Sequence, residues 1–253
     1  MTQIRLAHIV RHPIKSLGWQ EIQRAALTQG RPLPFDRYWA VATKALGVTA
    51  DVIPWQPKNR FVRGAAEGRL QAIRAEFDET TGAITLSHPE CDGFSGTLPR
   101  DKAALLEWLS PLWPDTRPAP SRLVTRDEGG AFADVNQPYL AILNTATNTE
   151  LGQHMGQTLS IHRWRANLWL DGLSPWAEFD LIGRTLQIGT ARVKVETRIT
   201  RCVATTFDPD TGAKNGDTLA ALQDGWGHQD FGVYARVVGS GQIAIDDKVT
   251  LLP

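Results

Sequence analysis

The sequence predicts a mainly β (α+β) protein with a β-barrel core and a smaller N-terminal β-rich domain. Three observations carry this expectation. Short runs rich in Val, Ile, Leu, Thr and aromatics recur along the chain, separated by Gly, Pro and Asp or Asn. Helical periodicity is confined to a few segments. Four prolines, at 111, 114, 118 and 120, crowd a stretch that neither a helix nor a central strand tolerates. The division is therefore placed there, giving domains 1–115 and 116–253.

Taken in order, 4–10 reads as the first strand, ended by Pro13, which cannot donate to a ladder. A loop with Lys15 and Ser16 follows. Strands are expected at 38–43, 69–77 and 83–87, the last two joined as a hairpin by the Asp78–Gly82 turn. Leu105, Leu106 and Trp108 share a helical side over 101–108, with Asp101 in the N-cap position. Beyond the prolines, 139–143 reads as a strand and 144–152 as a capped helix. Further strands are expected at 164–170, 186–188, 192–206 and 233–238, with 241–252 as a closing hairpin arm. Evenly spaced short strands favour a barrel, whose closure removes exposed edges.

Composition narrows the function classes. Apolar residues make up 42% of the 253 residues and charged residues 21%, the balance of an ordinary folded protein. Lys plus Arg and Asp plus Glu are 27 each, so no overall field favours nucleic acid or an anionic membrane, and an anion site must be local. The N-terminal stretch carries charges and a proline where a signal peptide needs an apolar core, and no run of about 18 apolar residues occurs, so a cytoplasmic location is expected. Two cysteines are too few for a disulfide framework, a four-cysteine zinc site or an iron–sulfur cluster. The nine tryptophans read as core packing rather than as a base-stacking platform.

Residues 191–212 hold the most chemistry. Strand alternation puts Lys194, Glu196, Arg198, Thr200 and Cys202 on one face, so Cys202 is expected near two arginines, Arg198 on its face and Arg201 beside it. Neighbouring cations favour a thiolate, the form that binds metals. On the cysteine alone a buried structural role is the commoner case. Asp208–Gly212 lacks the spacing and distal Glu of a calcium loop and reads as a turn, and Asp217 reads as the cap of a short helix.

The string T-R-C-V-A-T-T-F-D-P-D-T-G at 200–212, with F-G-V-Y at 231–234 and G-Q-I-A-I-D-D-K-V at 241–249, resembles the MOSC domain, the C-terminal domain of molybdenum cofactor sulfurases. H-P-I-K-S-L-G at 12–18 and D-R-Y-W-A-V at 36–41 resemble the N-terminal β domain that accompanies it. By pattern the chain is similar to mitochondrial amidoxime-reducing components and bacterial reductases of N-hydroxylated compounds. The resemblance implies molybdenum cofactor (Mo-molybdopterin), with Cys202 as metal ligand and catalytic residue and Thr200 and Arg201 positioning it. It implies that Lys15, Ser16, Arg37, Arg165 and Asn167 hold the cofactor. A family-level association with pyridoxal phosphate comes with it. Burying the cofactor's phosphate demands cationic donors or backbone N–H groups, which these residue types supply.

Two departures stand out. H-R-W-R-A-N-L-W-L at 162–170 keeps Arg165 and Asn167 of the family segment but has Ala166 for its proline, and Asn136-Gln137 replaces small hydroxyl residues before Pro138. The 54–58 string P-W-Q-P-K also differs, so substrate recognition there does not transfer. The implied activity is reduction of hydroxylamines or amidoximes, with electrons from a separate flavin reductase or ferredoxin-type protein, a small N-hydroxylated substrate, and neither nucleic acid nor membrane as partner. A non-catalytic cofactor carrier, a sulfur-transfer MOSC protein and a cofactor-free interaction barrel are the alternatives.

Overall fold

The computed structural model describes residues 3–253. Its largest sheet has eight strands in the spatial order Val249–Leu252, Thr185–Ile188, Ala191–Thr200, Asp230–Gly239, Tyr139–Asn144, Leu168–Asp171, Arg5–Arg11 and Gln20–Ile22. All its neighbours are antiparallel except Tyr139–Asn144 and Leu168–Asp171. The sheet closes on itself: Leu6 N–H donates to Asp247 O at 2.9 Å and Val249 N–H to Ile4 O at 2.9 Å, joining the first strand to the chain entering the last. Closure leaves alternate side chains inside, and Leu6, Ile9, Leu140, Ile142, Leu168, Val193, Val195 and Val233 fill the interior with no exposure.

Two three-stranded sheets make the second unit. One has Pro120–Arg126 between Trp39–Thr43 and Val52–Ile53; the other is the meander Arg74–Phe77, Ala83–His88 and Cys91–Thr97. The helix Lys102–Leu109 buries Leu105 and Leu109 in a core shared with Trp39, Val41, Leu70, Ile73, Phe77 and Leu123. The units exchange chain segments. The first strand, from the expected N-terminal domain, sits inside the eight-stranded sheet, while Pro120–Arg126, in and beyond the proline-rich stretch, is the middle strand of an N-terminal sheet. A division at 115/116 is thus not a division between sheets.

Other expectations hold with shifted ends. The 74–88 hairpin forms with Phe77 opposite Ile84, and Asp78 Oδ1 accepts from Thr80 N–H at 2.8 Å in the turn. The helix Thr145–His154 is capped by Asn144, whose side chain accepts from Ala146 N–H at 3.1 Å. Thr218–Trp226 is capped by Asp217. Asp101, expected as the cap of Lys102–Leu109, makes no such bond; its carboxylate turns back to accept from Thr97 N–H at 2.7 Å. The expected strand 69–77 begins only at Arg74, because Glu67 accepts from Arg69 N–H at 3.0 Å and winds Gly68–Ala72 into a 3-10 turn. The expected arm 241–252 is two strands, Gly241–Ala244 pairing with Arg24–Leu27 and Val249–Leu252 with Thr185–Ile188. No helix among the described residues is long and apolar enough to cross a membrane.

Candidate functional site

A cleft with a cavity of about 140 Å³ opens where loops of the N-terminal unit lie over the ends of barrel strands. Lys15, Ser16, Arg37, Arg165, Asn167, Thr200, Arg201 and Cys202 all line it. Elements far apart in sequence are brought together: the loop after the first strand, the turn before Trp39–Thr43, the turn after Ile161–Trp164, and the segment following Ala191–Thr200.

Backbone strain collects here. Of six described non-glycine residues with positive φ, three line this cleft, Ser16 at 64°, Arg37 at 50° and Arg165 at 50°. Each left-handed residue costs about 1 kcal/mol or more, and such strain persists where surrounding bonds over-determine it. They do so here. Arg37 N–H donates to His12 O at 2.6 Å, Phe132 N–H to Arg37 O at 2.9 Å, and the Arg37 guanidinium to Arg165 O at 2.7 Å. Arg37 also pairs tightly with Asp36, which in turn accepts from His12 N–H at 2.9 Å and lies 3.0 Å from His12 Nδ1.

Burial pushes the fully buried His12 imidazole down to about 3, helped by Arg165. It is neutral, so Nδ1 carries the proton toward Asp36. Asp36 stays ionised despite burial because Arg37 and His12 hold its carboxyl far below the usual range. Burial, opposed by Asp134, lowers the Lys15 ammonium, which donates to Asp134 Oδ1 at 2.6 Å and Phe132 O at 2.9 Å.

The Arg165 guanidinium differs from its neighbours. Nη1 and Nη2 are both shielded from solvent and neither has a hydrogen-bond partner among the described residues. Burial and then the Arg37 charge lower it to about 9. Leaving charged donors buried and unpaired costs several kcal/mol unless an anion satisfies them, roughly 1–3 kcal/mol per group even for neutral donors. Arg201 is pinned instead: Nε donates to Phe231 O at 2.8 Å and Nη1 to Trp164 O at 3.0 Å, over the stacked Trp164 and Phe231 rings. Burial lowers it to about 10.

Cys202 follows directly, half-buried and free, and its carbonyl accepts from the Thr205 N–H at 3.1 Å and hydroxyl at 3.0 Å. The strand expected to run to 206 ends at Thr200 and gives way to a 3-10 turn at Val203–Thr206. Alternation therefore does not reach Cys202. Arg198, expected beside it, lies 4.1 Å over the Phe179 ring and 3.9 Å from Asp230, outside the cleft. Arg201 is the cation beside the sulfur in sequence and in the cleft.

Thr200 spends its hydroxyl on Asp230 Oδ1 at 2.6 Å. The expected strand 164–170 starts at Leu168, since Trp164 closes a 3-10 turn and Arg165 turns left-handed. Asn167 lines the cleft and braces its wall: Oδ1 accepts from Ala141 N–H at 3.0 Å and Nδ2 donates to Val10 O at 3.3 Å. Asn136 and Gln137 lie outside the cleft, accepting from Arg126 and Arg236.

Sequence reasoning missed Lys58, Arg63, Asp134, Arg163 and Tyr234, all in the lining. Arg163 and Tyr234 stand inside the strings at 162–170 and 231–234, next to residues that were singled out. Asp208–Gly212 is a turn, with Asp208 Oδ1 accepting from Asp210 N–H at 2.8 Å and Thr211 N–H at 3.0 Å. No group of three or more His, Cys, Asp or Glu among the described residues could hold a metal.

The MOSC domain family matches residues 131–250, and the MOSC N-terminal beta barrel domain family matches 3–113. Among solved structures, the YUAD protein from Bacillus subtilis aligns at 11% identity over 99% of this chain and 98% of its own, with a TM-score of 0.48. YiiM from Geobacillus stearothermophilus aligns at 21% identity over 45% of this chain, with a TM-score of 0.35, and the alignment spans 54% of that protein. YiiM from Escherichia coli gives 18% identity over 45% of this chain and 54% of its own, with a TM-score of 0.34. A comparison with curated proteins gives no match.

Proposed function

Because the chain belongs to the MOSC family and carries that family's N-terminal β-barrel domain, we propose that it binds the molybdenum cofactor through Cys202 and reduces N-hydroxylated compounds. The family is known for binding this cofactor. The observation that carries the reading is the pair of shielded, partnerless Arg165 nitrogens in the cleft that also presents Cys202. They fit a phosphate, whose oxygens a guanidinium meets in a planar fork.

In this reading Arg165 takes the phosphate, the Lys15 and Arg37 charges support it, and Ser16, left-handed and in the same lining, would offer its hydroxyl or backbone N–H to the anion. Arg201, locked to Phe231 O and Trp164 O, fixes where Cys202 stands. Cys202 supplies one thiolate. The bound cofactor supplies the two-electron chemistry. The balance is N–OH plus two electrons and two protons giving N–H and water. Tyr234, whose phenol burial keeps neutral, presents a hydroxyl in the cleft wall that can donate a hydrogen bond or a proton to the departing oxygen. Electrons come from a separate flavin reductase or ferredoxin-type protein.

The test is metal analysis of wild type, Cys202→Ala and Arg165→Gln purified from one host competent in cofactor synthesis, followed by amidoxime reduction with dithionite-reduced viologen. Wild type retains molybdenum and turns over; Cys202→Ala loses activity and most metal; Arg165→Gln retains about tenfold less cofactor, the scale of one charge-assisted contact. Metal-free wild type overturns the reading, and metal without turnover leaves a carrier.

A further inference from the structure

The cleft holds more positive charge than one phosphate requires. Among the described residues, seven cationic side chains line it against a single carboxylate, Asp134, in a chain with net charge of zero. Lys15, Arg37, Arg165 and Arg201 have roles in the reading above, and Arg163 is spent on Thr205 O at 3.0 Å and Asn215 O at 3.2 Å. Lys58 and Arg63 remain.

Both come from the N-terminal unit, from the segment after Val52–Ile53, and face a cleft whose other wall is the barrel. Lys58 Nζ is 3.3 Å from Asp134 Oδ2, sharing that carboxylate with Lys15. Asp134 raises the Lys58 ammonium above its ordinary range, and Lys58 lines the same cleft as Cys202. Arg63 is half-buried, and its guanidinium has no hydrogen-bond or ion-pair partner among the described residues. Its backbone is fixed on both sides, Val62 N–H donating to Val41 O at 2.9 Å and Ala66 N–H to Arg63 O at 3.0 Å. An ordered turn therefore presents an unpaired cation into the space that Cys202 shares.

We propose that Lys58 and Arg63 form a substrate subsite for an oxyanion, so that the preferred N-hydroxylated substrates carry a carboxylate, sulfonate or phosphate. The inference rests on the reductase reading. Arg63 supplies the planar fork and Lys58 a point charge. With no net charge on the whole chain, the selection is local to the cleft and screened by salt.

The test compares benzamidoxime with 4-carboxybenzamidoxime on the molybdenum-loaded protein with reduced viologen, and measures calorimetric binding of benzamide and 4-carboxybenzamide, which have no N–O bond. Wild type favours the carboxylated substrate in kcat/KM by about tenfold, mainly through KM, the worth of one charge-assisted contact. In Arg63→Gln and Lys58→Gln that ratio falls toward one, and added salt lowers it in wild type. If neither amidoxime is reduced while 4-carboxybenzamide still outbinds benzamide in wild type only, the reductase reading fails and the subsite stands. Equal or undetectable binding of the two amides, or a preference that survives Arg63→Gln, overturns the proposal. So does release of a cofactor carrying a second, nucleotide phosphate, which would claim the same cations.

Discussion

His12 shows how one residue type can be fixed in a charge state by position. Burial holds it down to about 3, and burial likewise holds His162, stacked on Trp19 at 3.3 Å, down to about 4 against the pull of Glu21. Both folded values lie below the unfolded value near 6.5, so between them and 6.5 the unfolded chain binds protons that the folded chain refuses. Stability present above pH 6.5 therefore falls as the pH drops toward 4. Urea midpoints measured from pH 7.5 to 4.5 decline in wild type and decline less in His162→Gln; parallel curves would contradict the assignment. In the cleft, Cys202, Arg201, Arg165, Arg37, Lys15 and Ser16 were legible through motif strings. Lys58 and Arg63 were not, because their stretch departs from those strings and a lone cation on a loop looks like ordinary surface. Nor could spacing reveal that Asn167 would use its amide on Ala141 and Val10.

At the scale of elements, alternation found strand centres and missed strand ends. Period-two patterning runs on through 201–206 and 164–167, but the hydrogen bonds that close 3-10 turns there involve backbone geometry that hydrophobic pattern does not encode. Those misread ends are where the cleft is built, since a strand that stops early releases its next residues to turn. Gly232 is a strained position inside the strand Asp230–Gly239. Its φ is +78°, and an added Cβ would lie 2.4 Å from Leu143 Cδ1 and 2.8 Å from Ile142 O. Gly232→Ala then meets both a disfavoured conformation and backbone it cannot displace. A loss of about 2 kcal/mol in unfolding free energy is expected, with an unchanged denaturant slope. A midpoint equal to wild type would show that the neighbouring strand relaxes freely.

For the whole molecule, equal numbers of acidic and basic residues said only that any anion site must be local, and the structure gathers seven cations into one cleft. The barrel class was readable from strand spacing. The lacing of its two units was not, because strand partners separated by more than 150 residues, such as Ile9 and Leu168, leave no mark in local pattern. That lacing has a practical corollary. A gene cut near codon 115 would yield one fragment holding a stave of the other's barrel and one holding the middle ribbon of the other's sheet, so each piece alone exposes sticky backbone edges. Together they form a natural pair for split-protein reassembly, with the cleft appearing only once the halves have found each other.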